Sequence, residues 1–339
     1  MSALRLLFVV VVSVLFGWLS AQAHETQPLI IDVTAVGDGY QIAWQAPSAL
    51  SLNNAPHVLS SEACIARADT GPALRGSVQI DCLDGSPPQL TLIYALYPPA
   101  ITTIIRHHAE GEITAMAVFG PGEQVFDLDT EQSLLDVFFD YLYIGANHFA
   151  GGWDHILFVS CLILLAGSVR QTVIAISGFT LGHSVTLALA TLGVVAVPGG
   201  AVEALIALSI VLMARETLIS RETSFIRRRP AIISTGFGLL HGLGFAGFLA
   251  ETGWPGNGLL VALAGFNIGV EVAQLIFAAL AGIVVFATLR LLRVLPSRPL
   301  NMEQSTLERT ALWTAIVPIG AIATLWSMER AGAVLFGVS

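Results

Sequence analysis

Apolar residues follow two different patterns along the chain, and the change falls near residue 132. Before it, Tyr40, Ile42 and Trp44 alternate with polar residues such as Gln41 and Gln45, which is the period of a half-buried strand. Similar segments begin at residue 29 and recur at 78–82, 90–96, 101–106, 112–119 and 124–128. About seven short strands within residues 24–131 predict a small β-sandwich.

After residue 132 the apolar period becomes that of helices. Between 132 and 148, polar residues recur at helical spacing opposite an apolar face, which predicts an amphipathic helix in the membrane interface. Gly151 and Gly152 then interrupt the chain. Apolar segments of about spanning length follow at 153–167, 173–192, 202–219, 231–250, 259–289 and 311–328. The first is short enough to need residues from the preceding helix. Residues 149–330 are thus predicted to form a multi-spanning helical bundle of about six transmembrane helices.

Composition supports contact with lipid. The chain is 55% hydrophobic and 12% charged, and its mean hydropathy of +0.76 exceeds the usual soluble range. Residues 1–23 have the features of a secretory signal peptide: Arg5, the apolar run 6–19, and a small-residue ending at Ala23. Cleavage would leave His24 first, and an uncleaved anchor is the alternative. We therefore expect a multi-pass protein of the inner membrane with an exported β-domain.

Charge and cysteine usage narrow the function classes. Residues 24–136 hold fourteen Asp and Glu against three Arg, and the chain has no Lys. Because no basic stripe is present, nucleic-acid binding is excluded. Export places Cys64 and Cys82 in an oxidising compartment, where these two thiols can form one disulfide. Cys161 lies within an apolar helix and is expected to be inert.

The arginines predict the orientation of the bundle. With the β-domain outside, the loops assigned to the inside hold ten arginines, whereas the outer loops and tail after the first span hold only Arg330. Cytoplasmic loops carry such an excess of basic residues. The count therefore predicts six spans with both the β-domain and the C-terminus extracytoplasmic.

Ionisable and polar residues interrupt the apolar helices and suggest a shared site. Residues of this kind are costly in lipid and tend to be paired, inward-facing and functional. The candidate metal ligands are His148, Asp154, His155, His183, His241 and Glu271, with Glu203, Asn267, Gln274, Thr180 and Ser184 as supporting polar groups. Imidazole and carboxylate ligands from several helices suit Ni²⁺, Co²⁺ or Zn²⁺. Each residue has an alternative as a hydrogen bond between helices or an interfacial charge.

Two histidine positions outside the bundle are weaker candidates. His24 at a free amino terminus, and the pair His107 and His108, have ligand atoms but no further carboxylate or thiol at ligand spacing. A structural role is the expected one for each.

Five segments together resemble the HupE/UreJ membrane proteins. They are HFAGGWDHILF (148–158), FTLGHSVTLALA (179–190), VEALIALSI (202–210), GLLHGLGFAG (238–247) and GFNIGVEVAQ (265–274). The resemblance implies a permease connected with nickel or cobalt supply. It also implies that the family's His, five residues, Asp-His element falls on His148, Asp154 and His155. A second His-Gly pair of the nickel members is half present, because His241-Gly242 is followed by Phe245.

Three functions follow from these features. The first is a divalent-metal permease embedded in the bilayer, with the metal as cargo rather than as a prosthetic group. The second is an intramembrane zinc-dependent hydrolase, although no HExxH helix or GxSxG turn names a reaction. The third is a scaffold or sensor whose β-domain binds an extracytoplasmic protein partner. We expect a transporter and not an enzyme.

Overall fold

A computed structural model gives the architecture of most of the chain. The described residues are 28–47, 50–60, 64–67, 71–82, 89–99, 101, 103–109, 112–119, 123–127, 133–166, 168–195, 197–219, 229–252, 258–294 and 304–336. The predicted signal peptide, His24 and several inner-loop arginines lie outside them. The chain divides into two compact units. One contains the described residues of Ala146–Gly247 and Gly269–Ser339; the other contains those of Glu25–Gly145 and Phe248–Ile268.

The N-terminal unit is β-rich, as the alternation predicted. Its described strands are β1 (Leu29–Val36), β2 (Gly39–Gln45), β3 (His57–Ser60), β4 (Cys64–Ala66), β5 (Arg75–Cys82), β6 (Gln89–Ile93), β7 (Thr103–Ala109), β8 (Glu112–Phe119) and β9 (Val125–Asp127). They form a six-stranded sheet, in the order β4-β5-β2-β1-β7-β8, and a three-stranded sheet, in the order β3-β6-β9. The sequence missed β3 and β4, which are too short to show alternation.

Both sheets contribute to one apolar core. Ile31, Ile42 and Ile105 of the larger sheet are fully buried, and so is Phe126 of the smaller one. The indole of Trp44 joins this core, and its Nε1 donates to the Ala73 carbonyl at 2.8 Å. Alternate residues of the strands therefore face inward, as a period of two requires. The sandwich arrangement itself stays a prediction.

A disulfide joins the edge strand β4 to β5. Cys64 and Cys82 are directly opposed in the antiparallel register, and their sulfur atoms are bonded. This agrees with the pairing that the sequence allowed. Cys161 is free and buried.

His108 has a structural role in the larger sheet, where it pairs with a residue of the neighbouring strand β1. β1 and β7 run parallel and place Asp32 opposite Arg106. Arg106 donates to both Asp32 oxygens, at 2.6 and 2.7 Å, and His108 Nε2 lies 2.6 Å from Oδ1. Burial raises the pKa of Asp32, but the hydrogen bonds and charges of Arg106 and His108 outweigh it, so the pKa falls below its ordinary value.

Seven helices follow among the described residues. They are α1 (Leu134–Gly151), α2 (Trp153–Leu165), α3 (Val169–Thr191), α4 (Gly199–Leu218), α5 (Pro230–Thr252), α6 (Leu259–Val294) and α7 (Gln304–Phe336). The helix predicted at 132–148 and the six apolar segments each correspond to one of them. Caps account for one boundary clearly: the Ser168 side chain accepts from the Gln171 backbone at the start of α3.

Two helices in the described residues are long and apolar enough to cross a membrane. These are α3 and the Leu259–Val284 part of α6. A third crossing is possible for α1 and α2 taken together, which are bent by 75° at their junction. The chain thus has membrane-spanning helices, and the count of six stays a prediction.

Glycines allow the backbones of α3 and α5 to meet. A Cβ on Gly182 would strike the backbone of Thr235, and one on Gly238 would strike the backbone of Phe179. Small residues at such crossings are typical of helix packing in membranes. The crossing fixes the middle of α3, where His183 lies.

Candidate metal centre

Three histidines from three helices form one group. One ligand nitrogen from each of His148, His155 and His183 lies within 4.8 Å of the others. The ring centroids are 4.7 Å apart for His148 and His155, 6.0 Å for His148 and His183, and 6.1 Å for His155 and His183. Three imidazoles around a tetrahedral Zn²⁺ have nitrogens about 3.4 Å apart, so small ring rotations would bring these onto one ion.

The junction of α1 and α2 brings His148 and His155 together. The helix breaks at Gly152, so the two rings meet across the bend and not along one face of a continuous helix. A Cβ on Gly152 would lie 2.6 Å from His155 Nδ1 and 2.8 Å from the His148 carbonyl oxygen. Glycine is therefore the residue that this junction requires.

His155 is a buried candidate ligand whose ring nitrogens have no hydrogen-bond partner among the described residues. Its side chain is 7% exposed. Buried polar atoms without partners are costly and uncommon. A bound cation would supply the partner that a ring nitrogen of His155 needs.

His241 approaches the group from α5. Its ring centroid lies 5.2 Å from that of His155. Ser209 donates its hydroxyl proton to the Ile206 carbonyl at 2.6 Å, so it is left to accept from His241 Nε2, which is 3.1 Å away. This assigns the proton of a neutral His241 to Nε2 and leaves Nδ1 as a lone pair. No partner for Nδ1 exists among the described side chains.

Aromatic rings form an apolar wall around these imidazoles. Phe158 and Phe179 lie 5.2 and 5.0 Å from His241, and Phe237 packs against Phe158 at 5.6 Å. Phe158 and Phe179 are completely buried. A shell of this kind excludes water and strengthens electrostatic interactions inside it.

The structure places Asp154 and Glu203 beside Arg330 and outside the three-histidine group. Arg330 Nη1 donates to Asp154 Oδ2 at 3.0 Å and to the Glu203 carbonyl at 3.2 Å, while its Nε lies 3.6 Å from Glu203 Oε2. Arg330 was missed as a site residue. The sequence did mark it out, because Arg330 is the one arginine in the outer loops and tail that follow the first span.

The remaining predicted residues make contacts between or within helices. Glu271 accepts from Ser177 Oγ at 2.5 Å, and Gln274 Oε1 accepts from Thr180 Oγ1 at 3.0 Å. These bonds link α6 to α3 within one unit. Ser184 donates to the Thr180 carbonyl at 2.6 Å, on its own helix. Ser177 was missed, although it shares a helical face with Thr180 and Ser184.

Asn267 belongs to the other compact unit. Its Nδ2 donates to the Leu263 carbonyl at 2.8 Å on the same helix. Two backbones approach closely beside it, because a Cβ on Gly265 would strike the backbone of Phe138. Asn267 thus lies at a helix crossing, and its part in a metal site stays a prediction.

Fold and site together define a membrane protein with a buried histidine cluster and an added β-rich unit. Over residues 124–330 the chain matches the family described as HupE / UreJ protein, and it belongs to that family. The family is associated in general with nickel and cobalt transport. No curated protein and no solved structure gives a significant match to the chain.

Proposed function

We propose that the chain is an inner-membrane permease for a divalent transition-metal cation, nickel or cobalt first. The observation that supports it is the convergence of His148, His155 and His183, the last two of which are buried. Neutral imidazole nitrogens suit nickel, cobalt and zinc better than magnesium or calcium. Family membership also supports the proposal, since the family is associated in general with nickel and cobalt transport.

In this proposal the ion passes from the three-histidine group toward His241. His155 is the shared residue, since its ring lies near those of His148, His183 and His241. The lone pair on His241 Nδ1 is the next available nitrogen. Transfer between overlapping ligand sets avoids a state in which the ion is bare within an apolar wall.

We also infer six membrane crossings, with the C-terminus outside. His155 contacts His241 and Phe158 contacts Phe237, and this order of contacts supports opposite directions for α2 and α5. The arginine count predicts this alternation. Ion pairing agrees with it as well, because Arg330 joins the starts of α2 and α4 to the end of α7.

Metal flux into liposomes tests the proposal. Purified full-length protein would be reconstituted with a metal-sensitive dye inside, and Ni²⁺ or Co²⁺ added outside. We expect His155→Ala to reduce flux to the level of protein-free liposomes, because the shared ligand is lost. His57→Gln, which removes a histidine of the β-rich unit, is the matched control and should retain flux. Equal flux in wild type and His155→Ala would refute the permease.

The same three histidines are the observation that favours a zinc-dependent hydrolase as the second candidate. Three imidazoles hold Zn²⁺ in carbonic anhydrase and leave one position for water. One tightly held zinc with turnover of a lipid or peptide, and no flux, would favour this reading. Histidine variants that change stability alone, with a protein partner captured by the β-domain, would favour a scaffold.

A further inference from the structure

A part-buried guanidinium lies beside the candidate metal centre. The Arg330 side chain is 12% exposed and the Asp154 side chain 19% exposed, and they form an ion pair of 3.0 Å. The guanidinium also contacts Glu203 and lies 5.7 Å from the centre of the Trp326 ring. Several groups therefore hold Arg330 in one place.

The ion pair with Arg330 bears on whether the Asp154 carboxylate can act as a metal ligand. Asp154 directly precedes His155 on α2, so it is the acidic residue nearest in sequence to the metal ligands. Its carboxylate nevertheless lies outside the group of nitrogens within 4.8 Å of one another. A carboxylate engaged by arginine has its charge offset, and breaking such a part-buried pair is costly.

From this geometry we infer that Arg330 is a positioning residue that holds the Asp154 carboxylate off the three-histidine site. The inference rests on the proposed function and defines the ligand class of the site. The cation binds through neutral nitrogens alone, while the neighbouring negative charge is neutralised. Arg330 thereby sets the affinity at which the ion is held.

A moderate affinity for the ion suits a permease. Binding must be favourable enough for the ion to enter and weak enough for it to leave. A free carboxylate next to a divalent cation in an apolar enclosure would add strong attraction, since charges interact more strongly there than in water. Without Arg330, Asp154 would act as a fourth, anionic ligand and retain the ion.

A mutant cycle on the full-length protein in detergent tests this, with Ni²⁺ as the probe in calorimetric titrations and liposome flux. Arg330→Gln should bind Ni²⁺ about tenfold tighter or more and lower both the KM and the maximal rate of flux. The double variant Asp154→Asn with Arg330→Gln should return to within about threefold of wild-type affinity. Glu329→Gln, an exposed neighbour on α7, is the matched control. A merely structural role for Arg330 would not predict tighter binding.

Two outcomes would overturn the inference. One is unchanged or weaker Ni²⁺ binding in Arg330→Gln. The other uses Asp154→Asn alone, which keeps the Arg330 contacts with Glu203 and so serves even if Arg330→Gln fails to fold. A loss of tenfold or more in that variant would make Asp154 a ligand in the wild type. Absence of Ni²⁺ binding by the wild type would instead refute the proposed function and the inference with it.

Discussion

At the scale of single residues, Asp32 shows how one carboxylate orders the β-rich unit. It binds Arg106 through both oxygens and His108 through one, all on the neighbouring parallel strand. The side chain is 29% exposed, so water screens the pair only in part. His107, next along β7, is half-buried, and burial and the neighbouring His108 lower its pKa.

These two residues predict two pH windows for the stability of β1 and β7. Below about pH 6.5, His107 binds a proton more readily in the unfolded chain than in the folded one, so the free energy of unfolding decreases as the pH is lowered. The contribution of Asp32 is complete above its ordinary pKa of 3.8 and is lost as pH falls through the lower folded value. Hydrogen exchange of the full chain, followed by mass spectrometry, would measure both.

Variants separate the two windows. Asp32→Asn should cost about 1–3 kcal/mol at neutral pH, because charged hydrogen bonds are lost, and should remove the acidic window. His107→Gln should remove the window near pH 6.5. Asp38→Asn, at an exposed turn, should leave both in place. A stability profile in Asp32→Asn that still falls below pH 4 as in wild type would contradict this assignment.

The sequence predicted the candidate ligands better than their partners. His148, His155 and His183 are recognisable because an imidazole within an apolar helix is costly. Which side chain each polar group meets depends on packing between distant helices. Thus the Asp154 contact with Arg330, 176 residues away, has no local signal.

At the scale of elements, the break between α1 and α2 determines the candidate metal centre. α2 has 13 residues and is therefore about 20 Å long, too short to cross a bilayer alone. The sequence showed Gly151 and Gly152 as an interruption, but the 75° bend depends on the contacts of the finished fold. Among the strands, those with clear alternation were predicted, and β3 and β4, with four and three residues, were not.

The two neighbouring glycines at this break give a matched pair of variants. Gly152→Ala should weaken Ni²⁺ binding about tenfold or more, because the added methyl group meets the His155 ring and displaces it. Gly151→Ala should bind within about twofold of wild type, since nothing lies within 4 Å of its Cβ position. Titration of purified protein would compare them. Equal affinities would show that the bend does not position His155.

At the scale of the whole molecule, the directions of neighbouring helices bear on the number of membrane crossings. Within the larger unit, Gly200 lies near Val334 and Gly320 near Ala214, so α4 and α7 are antiparallel, as alternating spans require. The bonds of Ser177 to Glu271 and of Thr180 to Gln274 advance together along α3 and α6. Alternating spans would make α3 and α6 antiparallel, and the contacts would then run in the opposite order along the two helices. Contacts in the same order also occur where two helices cross steeply.

The location of the C-terminus decides between the two forms of the α1–α2 pair. If the bent pair crosses the bilayer, six crossings put the C-terminus on the same side as the β-domain, and the arginine count agrees. If the pair instead enters and leaves on one side, five crossings put the C-terminus in the cytoplasm. Single cysteines placed at 225, 300 and 338 in a Cys161→Ala background, and labelled with an impermeant maleimide on whole spheroplasts, would distinguish them. We expect labelling at 338 alone, since the first two positions lie in arginine-bearing loops. Labelling at 225 and 300 but not at 338 would show that α1 and α2 form a re-entrant hairpin, with the three histidines near its tip.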